Sequence, residues 1–395
     1  MVSCRMMEQT RIAIVGAGIA GLVAARALQR AGFRPKLFDR MPQIGEVGAG
    51  LTLAPNATHA LRSIGLGNLL ETCAMQPERA GVRNWRTGEL KVSLARGAEM
   101  LAKFGAPYCH VHRADLHGAL VRAVLNADPE AITLNADFNG LQQSGSAVQI
   151  EFAASPPITA DLVIGADGLR SAVRSALFGA DQPRFTGYIA FRGLVPIERL
   201  PAELIDPPSC LSTGPDRSFA WYLIRGGQTV NFVALAQRRG WNQEGWSIPA
   251  TVEEVLHEYA GWHERVRTII GSAPPETLFK WALFDREPLT EWSRGRTTLM
   301  GDAAHPMLPF LGQGAGMAIE DGIVLARVLA DARSIDEALR RYETARVARA
   351  TWVMLKSCET ALAYHADHAI DAPAPPHVTA ESLGIWAYNP ATVDV

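Results

Sequence analysis

Residues 11–15 (RIAIV) form a short β-branched run of the kind found in buried parallel strands, and Gly16, Gly18 and Gly21 follow it at once. An alanine- and leucine-rich helical stretch then runs to about Ala31 and stops at Gly32. Residues 34–39 (RPKLFD) read as the next strand. This is a βαβ unit. Within it, Gly16-Ala17-Gly18-Ile19-Ala20-Gly21 joins strand to helix, and Asp39 stands eighteen residues after Gly21. That combination is the full dinucleotide-binding fingerprint. The glycines permit a tight turn, close backbone approach to a pyrophosphate and close helix packing. The helix N-terminus favours phosphate charge, and an acidic residue at the end of the second strand can accept from a ribose hydroxyl.

The rest of the chain narrows the reading. At 395 residues it suggests two or three domains, and 48% apolar with 20% charged residues excludes wholesale disorder. Basic and acidic residues nearly cancel, 38 − 40 = −2, so there is no general electrostatic footprint for nucleic acid or an anionic membrane. No uncharged run is long enough to span a bilayer. Residues 12–25 are broken by three glycines, closed by Arg26, and lack a convincing signal-peptide cleavage site. The five cysteines (Cys4, Cys73, Cys109, Cys210 and Cys358) are odd in number and widely spaced, with no zinc pattern and no redox pair. A disulfide framework is not expected, and a cytoplasmic setting is.

Residues 55–72 read as a helix, and 107–125 as a strand (YCHVH) running into a helix. Residues 161–168 (DLVIGADG) read as a strand ending in a tight glycine turn, with a helix near 170–177. The texture changes at about 183, where GYIAFRGLVPI, RSFAWYLI, TVNFVALA and TLFKWALF are strand-like and rich in aromatic residues. Thr251 and Glu254 form a capping-box pattern in this region, as do Ser334 and Glu337 further on. Residues 296–301 return to a buried strand, helices follow at about 314–331 and 335–365, and the tail after 370 reads as a wrapping or loose segment.

Two later segments bear on which dinucleotide is bound. DLVIGADG and GDAAHP (301–306) place Asp167 and Asp302 at the C-terminal ends of apolar strands, where ligands of α/β sheets bind. An extended dinucleotide lying along the sheet needs polar groups there, and Arg113 at the head of a helix could supply a cation. There is no second GxGxxG, because residues 312–316 (GQGAG) have the wrong spacing. A nicotinamide cofactor therefore has no Rossmann domain of its own. This argues against disulfide reductases and two-dinucleotide-domain monooxygenases. His110, His112 and His117 cluster around Arg113, and His365 and His368 lie three apart, but neither set has supporting ligands at metal spacing, so no metal is expected. HExxH, P-loop and GxSxG patterns are absent. The Arg-rich stretch 333–349 reads as a salt-bridged, solvated helix face. Arg192 (AFRGLVP) and Arg83 (GVRNW) are candidates for pairing with a substrate carboxylate.

GAGIAG with Asp39, HRADLH (112–117), DLVIGADG and GDAAHPMLPFLGQGAGMAIED (301–321) together resemble the single-component FAD-dependent aromatic hydroxylases of the para-hydroxybenzoate hydroxylase fold. The likeness runs from about residue 10 to 365. GEVGAGLTLAPNA (45–57) and WSRGRTTLMGDAAHPMLP (292–309) are similar to the salicylate, 3-hydroxybenzoate and 6-hydroxynicotinate hydroxylase branch. The resemblance implies an α/β fold in which a discontinuous, Rossmann-like FAD-binding domain carries an inserted, mostly antiparallel substrate sheet and a long C-terminal helix. The expected boundaries are 1–182 for the first FAD-domain part (with a small substrate-side insertion near 75–106), 183–285 for the substrate sheet, 286–370 for the FAD-domain return, and 371–395 for the tail. It further implies that Gly16, Gly18, Ala20 and Gly21 lie at the ADP pyrophosphate, Asp39 meets the ribose and Arg40 lies beside the adenine. Arg113 would contact the cofactor backbone, and Asp167 with Gly168 would serve both FAD and the nicotinamide cofactor. Asp302, after Gly301, would reach the ribityl and pyrophosphate region, and Gly312, Gly314 and Ala315 would cover the flavin edge, with the helix dipole near 314 favouring negative charge there.

The implied activity uses NADH or NADPH as a transient reductant and O2 as co-substrate. It inserts one oxygen into a small aromatic ring through a flavin C4a-hydroperoxide, in a monomer or homodimer, with or without loss of CO2. The implied site is lined by Thr52, Tyr222, Pro306 and Phe310. Tyr222 matches a pocket tyrosine of this branch and is the candidate for a substrate hydrogen bond or proton relay. The chain departs from its relatives where some carry histidine, at Thr52 and at Phe310, so both base positions are non-basic. An epoxidase or Baeyer–Villiger-type oxygenase, which needs no phenol deprotonation, is therefore the alternative. A non-catalytic binding protein on the same fold, as in Rab escort and GDI proteins, fits the Asp167 and Asp302 motifs less well.

Overall fold

The structure, a computed structural model, describes residues 10–45, 48–238, 240–241, 248–365 and 379–395. The apolar run becomes the strand Ile12–Val15, buried at every position. It is buried because parallel neighbours flank it, Leu162–Gly165 on one side and Lys36–Phe38 on the other. Thr297–Leu299 and Ile132–Thr133 extend this sheet in parallel, and Ser293–Arg294 adds an antiparallel edge. Helices cover the sheet, which explains why its strands read as unbroken apolar runs rather than alternating ones. The helices Ile19–Arg30 and Gly314–Asp331 cross closely at Gly322, where a Cβ would lie 2.9 Å from the Ala24 amide nitrogen.

The aromatic strands form an eight-stranded sheet in the order Ile248–Pro249, Phe279–Asp285, Arg184–Pro196, Thr229–Gln237, Arg217–Ile224, Ser209–Gly214, Arg79–Asn84, Leu90–Ala95. It is antiparallel except where Ser209–Gly214 meets Arg79–Asn84. Side chains alternate across it. Phe191, Phe219, Trp221 and Phe232 face the helices Val252–Glu258 and Glu264–Gly271, where the Tyr259 hydroxyl bonds the Ser218 and Leu235 carbonyls. Tyr188 and Leu235 turn the other way and pack with Phe310. A two-stranded ladder, Gly50–Leu53 against Cys109–His112, reaches this second face, with the Gly50 amide donating to Asn231 Oδ1 at 2.7 Å.

Both expected caps form, with Thr251 Oγ1 accepting from the Glu254 amide and Ser334 Oγ from that of Glu337. The expected helix over 55–72 is two, Pro55–Ser63 and Gly67–Thr72. Gly65 takes φ +87°, and the Leu66 and Gly65 amides close back on the Leu61 and Arg62 carbonyls, a glycine-terminated helix end. The three-stranded meander Phe138–Ser144, Ala147–Phe152, Ile158–Ala160 is absent from the sequence reading; Val148, Ile150 and Phe152 alternate onto the core there.

The helix Ile335–His365 corrects one expectation outright. Arg346 does not lie on a solvated face but is fully buried. Its Nη1 donates to Glu320 at 2.6 Å and its Nε to Asp321 at 2.8 Å. Arg349 adds two bonds to Glu320, Asn56 donates to Glu320 and Gln313, and His305 and the Gly301 amide contact Asp321. Residues 379–395 wrap beside this knot: Ile385 and Trp386 are buried, and Arg349 bonds the Ile385 carbonyl and lies over the Tyr388 ring. Burial alone would raise the Asp321 carboxyl, but the His305 and Arg346 charges override it and hold it at about 2. A carboxylate held below its ordinary 3.8 contributes stability above about pH 4 that is lost as the pH falls toward 2. Arg346→Ala should cost about 3 kcal/mol, the low end for a broken buried pair, because Glu320 keeps Arg349 and Asp321 keeps His305. Thermal unfolding of the holoenzyme against pH checks both, with a lowered midpoint in the variant and a flatter acid limb.

Candidate active site

The three glycines of the fingerprint have separable causes. Gly16 has φ +104°, and a Cβ on it would overlap the Ala166 carbonyl oxygen, so glycine lets the ADG turn run alongside. A Cβ on Gly21 would overlap the Gly16 carbonyl oxygen, so this glycine seats the helix on its own turn. Gly18 is different. Its φ is −73°, which any residue adopts, and a Cβ there would meet no protein atom within 4 Å. Nothing within the protein requires glycine at that position. It lies at the N-terminus of Ile19–Arg30, which has no side-chain cap, so the site suits a group that approaches backbone amides closely.

The other motifs converge on this loop. Gly301, at φ +57°, would bring a Cβ within 3.0 Å of Ala20 Cβ, so the GDAAHP turn touches the first helix. Surrounding protein raises the Asp302 carboxyl above its ordinary range, against the opposing pull of the His305 and Arg113 charges, so Asp302 feels the Arg113 charge. The Asp302 side chain accepts no hydrogen bond among the described residues. Asp39 does more than the sequence reading assigned: its Oδ2 accepts from the Ala17 amide at 2.7 Å and its Oδ1 from that of Met41 at 2.8 Å. A carboxylate has further lone-pair sites for a ribose hydroxyl. His117, dismissed as a decoy, bonds the Ala17 carbonyl at 2.8 Å, so the loop peptide is held from both sides. Arg40 follows Asp39 and is exposed. Asp167 turns its carboxylate into its own helix, accepting from Ser171 Oγ at 2.5 Å and the Val173 amide at 3.1 Å, and so leaves the left-handed Gly168 (φ +79°) facing outward. Gly312, at φ +63°, precedes Gly314 and Ala315 at the start of Gly314–Asp331, which again has no side-chain cap.

On the substrate side, Thr52 pairs across the ladder with His110. Thr52 Oγ1 lies 3.2 Å from His110 Nδ1, and a Cβ on Gly312 would lie 3.8 Å from Thr52 Cβ. Tyr222 stacks on the His110 ring at 4.2 Å and 19°. Its hydroxyl has no hydrogen bond among the described residues, so the sheet backbone does not satisfy it. Burial raises the Tyr222 phenol, so it remains a protonated donor. Tyr108 stands edge-on to His110, and Phe310 stands edge-on to Tyr188 and Tyr364. Phe310 is therefore part of a buried aromatic cluster, and Pro306 is buried beside His305 in the turn. Arg192 is buried on the strand Arg184–Pro196 with its guanidinium over the Trp281 ring at 4.9 Å. Arg83 is a correction: its Nη1 and Nη2 bond the Gly88 and Asp206 carbonyls, so it fastens the sheet edge instead of waiting for a carboxylate. Among the described residues there is no metal-binding cluster and no helix long and apolar enough to cross a membrane. His365, His368 and Glu46 side chains lie outside the described residues.

These residues fit FAD: a glycine with no internal purpose at an uncapped helix N-terminus, an unpartnered carboxylate beside an arginine, and a second uncapped helix start close to Thr52. The FAD binding domain family matches residues 9–357, and the chain belongs to that family, the single-component FAD-dependent aromatic hydroxylases. More particularly, it is 39% identical to a 3-amino-4-hydroxybenzoate 2-monooxygenase of Streptomyces platensis over 91% of this chain and 89% of the relative. It is 34% identical to a 6-hydroxynicotinate 3-monooxygenase of Pseudomonas fluorescens, over 88% of this chain and 90% of the relative. Among solved structures, Klebsiella pneumoniae HpxO complexed with FAD and uric acid matches with a TM-score of 0.82 at 27% identity, covering 90% of this chain and 89% of that one.

The glycine roles are testable. Gly18→Val should leave the unfolding midpoint of flavin-free protein within about 0.5 kcal/mol of the parent while weakening FAD binding at least tenfold, about 1.4 kcal/mol. Gly21→Ala should lower the midpoint itself. Flavin titration beside thermal unfolding separates the two.

Proposed function

We propose that this monooxygenase hydroxylates a small ring of the hydroxybenzoate or hydroxypyridine class, with O2 as oxygen source and NADH or NADPH as a transient reductant. The overall reaction consumes the ring compound, O2, the reduced nicotinamide and a proton, and yields the hydroxylated ring, water and the oxidised nicotinamide. When bound, FAD supplies the electron transfer and the oxygen activation. The chain supplies the rest. The single observation that carries the reading is a polar chain that starts at the Gly312 turn: Thr52 lies next to that turn, His110 is bonded to Thr52, and Tyr222 stacks on His110.

With FAD bound, the backbone amides at Gly314 and Ala315 and the dipole of their helix would favour negative charge on the part of the cofactor that meets them. Tyr188, Phe310 and Tyr364 form an aromatic wall that excludes water. Tyr222 offers a hydroxyl to a ring substituent, and Thr52 offers a second. Asp167 keeps its helix in place, and the adjoining Gly168 leaves room for the nicotinamide cofactor, which has no domain of its own. The base-free alternative, epoxidation or Baeyer–Villiger chemistry, rested on the lack of histidine at positions 52 and 310. A buried imidazole one ladder position from Thr52 removes that ground.

The expected result is stimulated NADH or NADPH oxidation by the yellow protein with at least one of salicylate, 3- and 4-hydroxybenzoate or 6-hydroxynicotinate, and a product one oxygen heavier. Tyr222→Phe should retain FAD and lose at least tenfold in coupled product formation, about 1.4 kcal/mol of transition-state stabilisation. Turnover of only an alkene or a cyclic ketone in the same assay would contradict the proposal.

A further inference from the structure

We propose that His110, through the Thr52 hydroxyl, is the proton acceptor for the ring hydroxyl of the substrate; this rests on the hydroxylase reading above. His110 lies on Cys109–His112 directly opposite Thr52, and alternation puts both side chains on one face of the two-stranded ladder. The Oγ1 to Nδ1 separation of 3.2 Å is a hydrogen bond. His110 Nε2 is buried and has no hydrogen-bond partner among the described residues. One nitrogen of this buried imidazole is thus engaged by the Thr52 hydroxyl, which itself lies close to the Gly312 turn.

The proton inventory balances. Thr52 donates its proton to His110 Nδ1 as its oxygen receives the proton of the substrate O–H. The ring oxygen becomes an anion, Thr52 ends as a hydroxyl, and His110 ends as imidazolium with its Nε2–H retained. No net charge enters the cavity. The groups facing His110 are Thr52 from its ladder partner, Tyr108 from its own strand, Tyr222 from the large sheet, and Arg96, whose guanidinium lies over the Tyr108 ring at 5.4 Å and is paired with Glu381. Burial first, and then the Arg96 charge, lower the His110 imidazole to about 3. His110 is therefore neutral in the empty site, and it holds a proton only while the aryl oxyanion formed in the same step lies close by. The same Arg96 charge that disfavours an imidazolium favours an aryl oxyanion. Proton uptake is thus coupled to the presence of an ionisable ring, and an empty site stays uncharged.

The test uses holoenzyme and whichever of salicylate, 3- or 4-hydroxybenzoate or 6-hydroxynicotinate stimulates NAD(P)H oxidation. Difference absorbance follows ionisation of the bound ring hydroxyl against pH in the parent, His110→Gln, Thr52→Val and Thr52→Ser, beside the pH profile of kcat. His110→Gln and Thr52→Val should each raise the ionisation midpoint by at least one pH unit and lower kcat at least tenfold at neutral pH, with recovery in alkali. Thr52→Ser should behave as the parent. Thr52→Val keeps the ladder and the imidazole, so it decides the matter even where His110→Gln loses FAD. An unshifted midpoint, or a loss of kcat that alkali does not restore, overturns the relay and leaves the hydroxylase reading standing. If no phenol or hydroxypyridine in the panel stimulates oxidation, the hydroxylase reading falls first and the relay with it.

Discussion

Glu320 and Asp321 are consecutive, fully buried carboxylates on one helix, and the rest of the molecule is arranged to keep them paired. Two desolvated charges side by side are tolerable only with close partners. Those partners come from distant parts of the chain: Asn56, Gly301, His305, Arg346 and Arg349. Each contact sets the position of something near the site. The Gly301 amide and His305 hold the turn that presents Asp302. Asn56 and Gln313 hold the approach to the helix start at Gly314. Arg346 and Arg349 bring the long C-terminal helix across, and Arg349 draws in the tail at Ile385 and Tyr388. The knot is remote from the ring chemistry and yet fixes the geometry on which that chemistry depends.

Around the glycine loop the same economy holds with neutral groups. The peptide at Ala17 is clasped between Asp39 and His117, so the loop is rigid without a ligand and its outward amides are preorganised. The substrate side works by contrast. There the buried Nε2 of His110 and the Tyr222 hydroxyl have no hydrogen-bond partner among the described residues.

Much of this was legible in the sequence. The strand–glycine–helix unit announced the parallel sheet because its period, its glycine spacing and Asp39 each express one local requirement. The helix at 335–365 was legible from its Ser334–Glu337 cap and that at 314–331 from its apolar run, which has no side-chain cap. What stayed hidden was long-range pairing. An arginine among acidic neighbours on a helix looks solvated, and only the fold shows that Arg346 points inward to Glu320. His110 looked like a failed metal ligand, because sequence spacing cannot reveal that Thr52 sits opposite it in a ladder. The meander at 138–160 was missed because its short strands carry few apolar residues outside Ala147–Phe152.

The central claim is that one atom of O2 enters an aromatic ring. The most direct measurement is mass spectrometry of the product formed under oxygen-18 gas in ordinary water, with NAD(P)H and the stimulating ring compound. The account predicts one heavy oxygen in the product ring and the other in water. A product that carries its new oxygen from solvent, or oxidised nicotinamide with the ring returned unchanged and all the O2 recovered as peroxide for every ring tried, would contradict it.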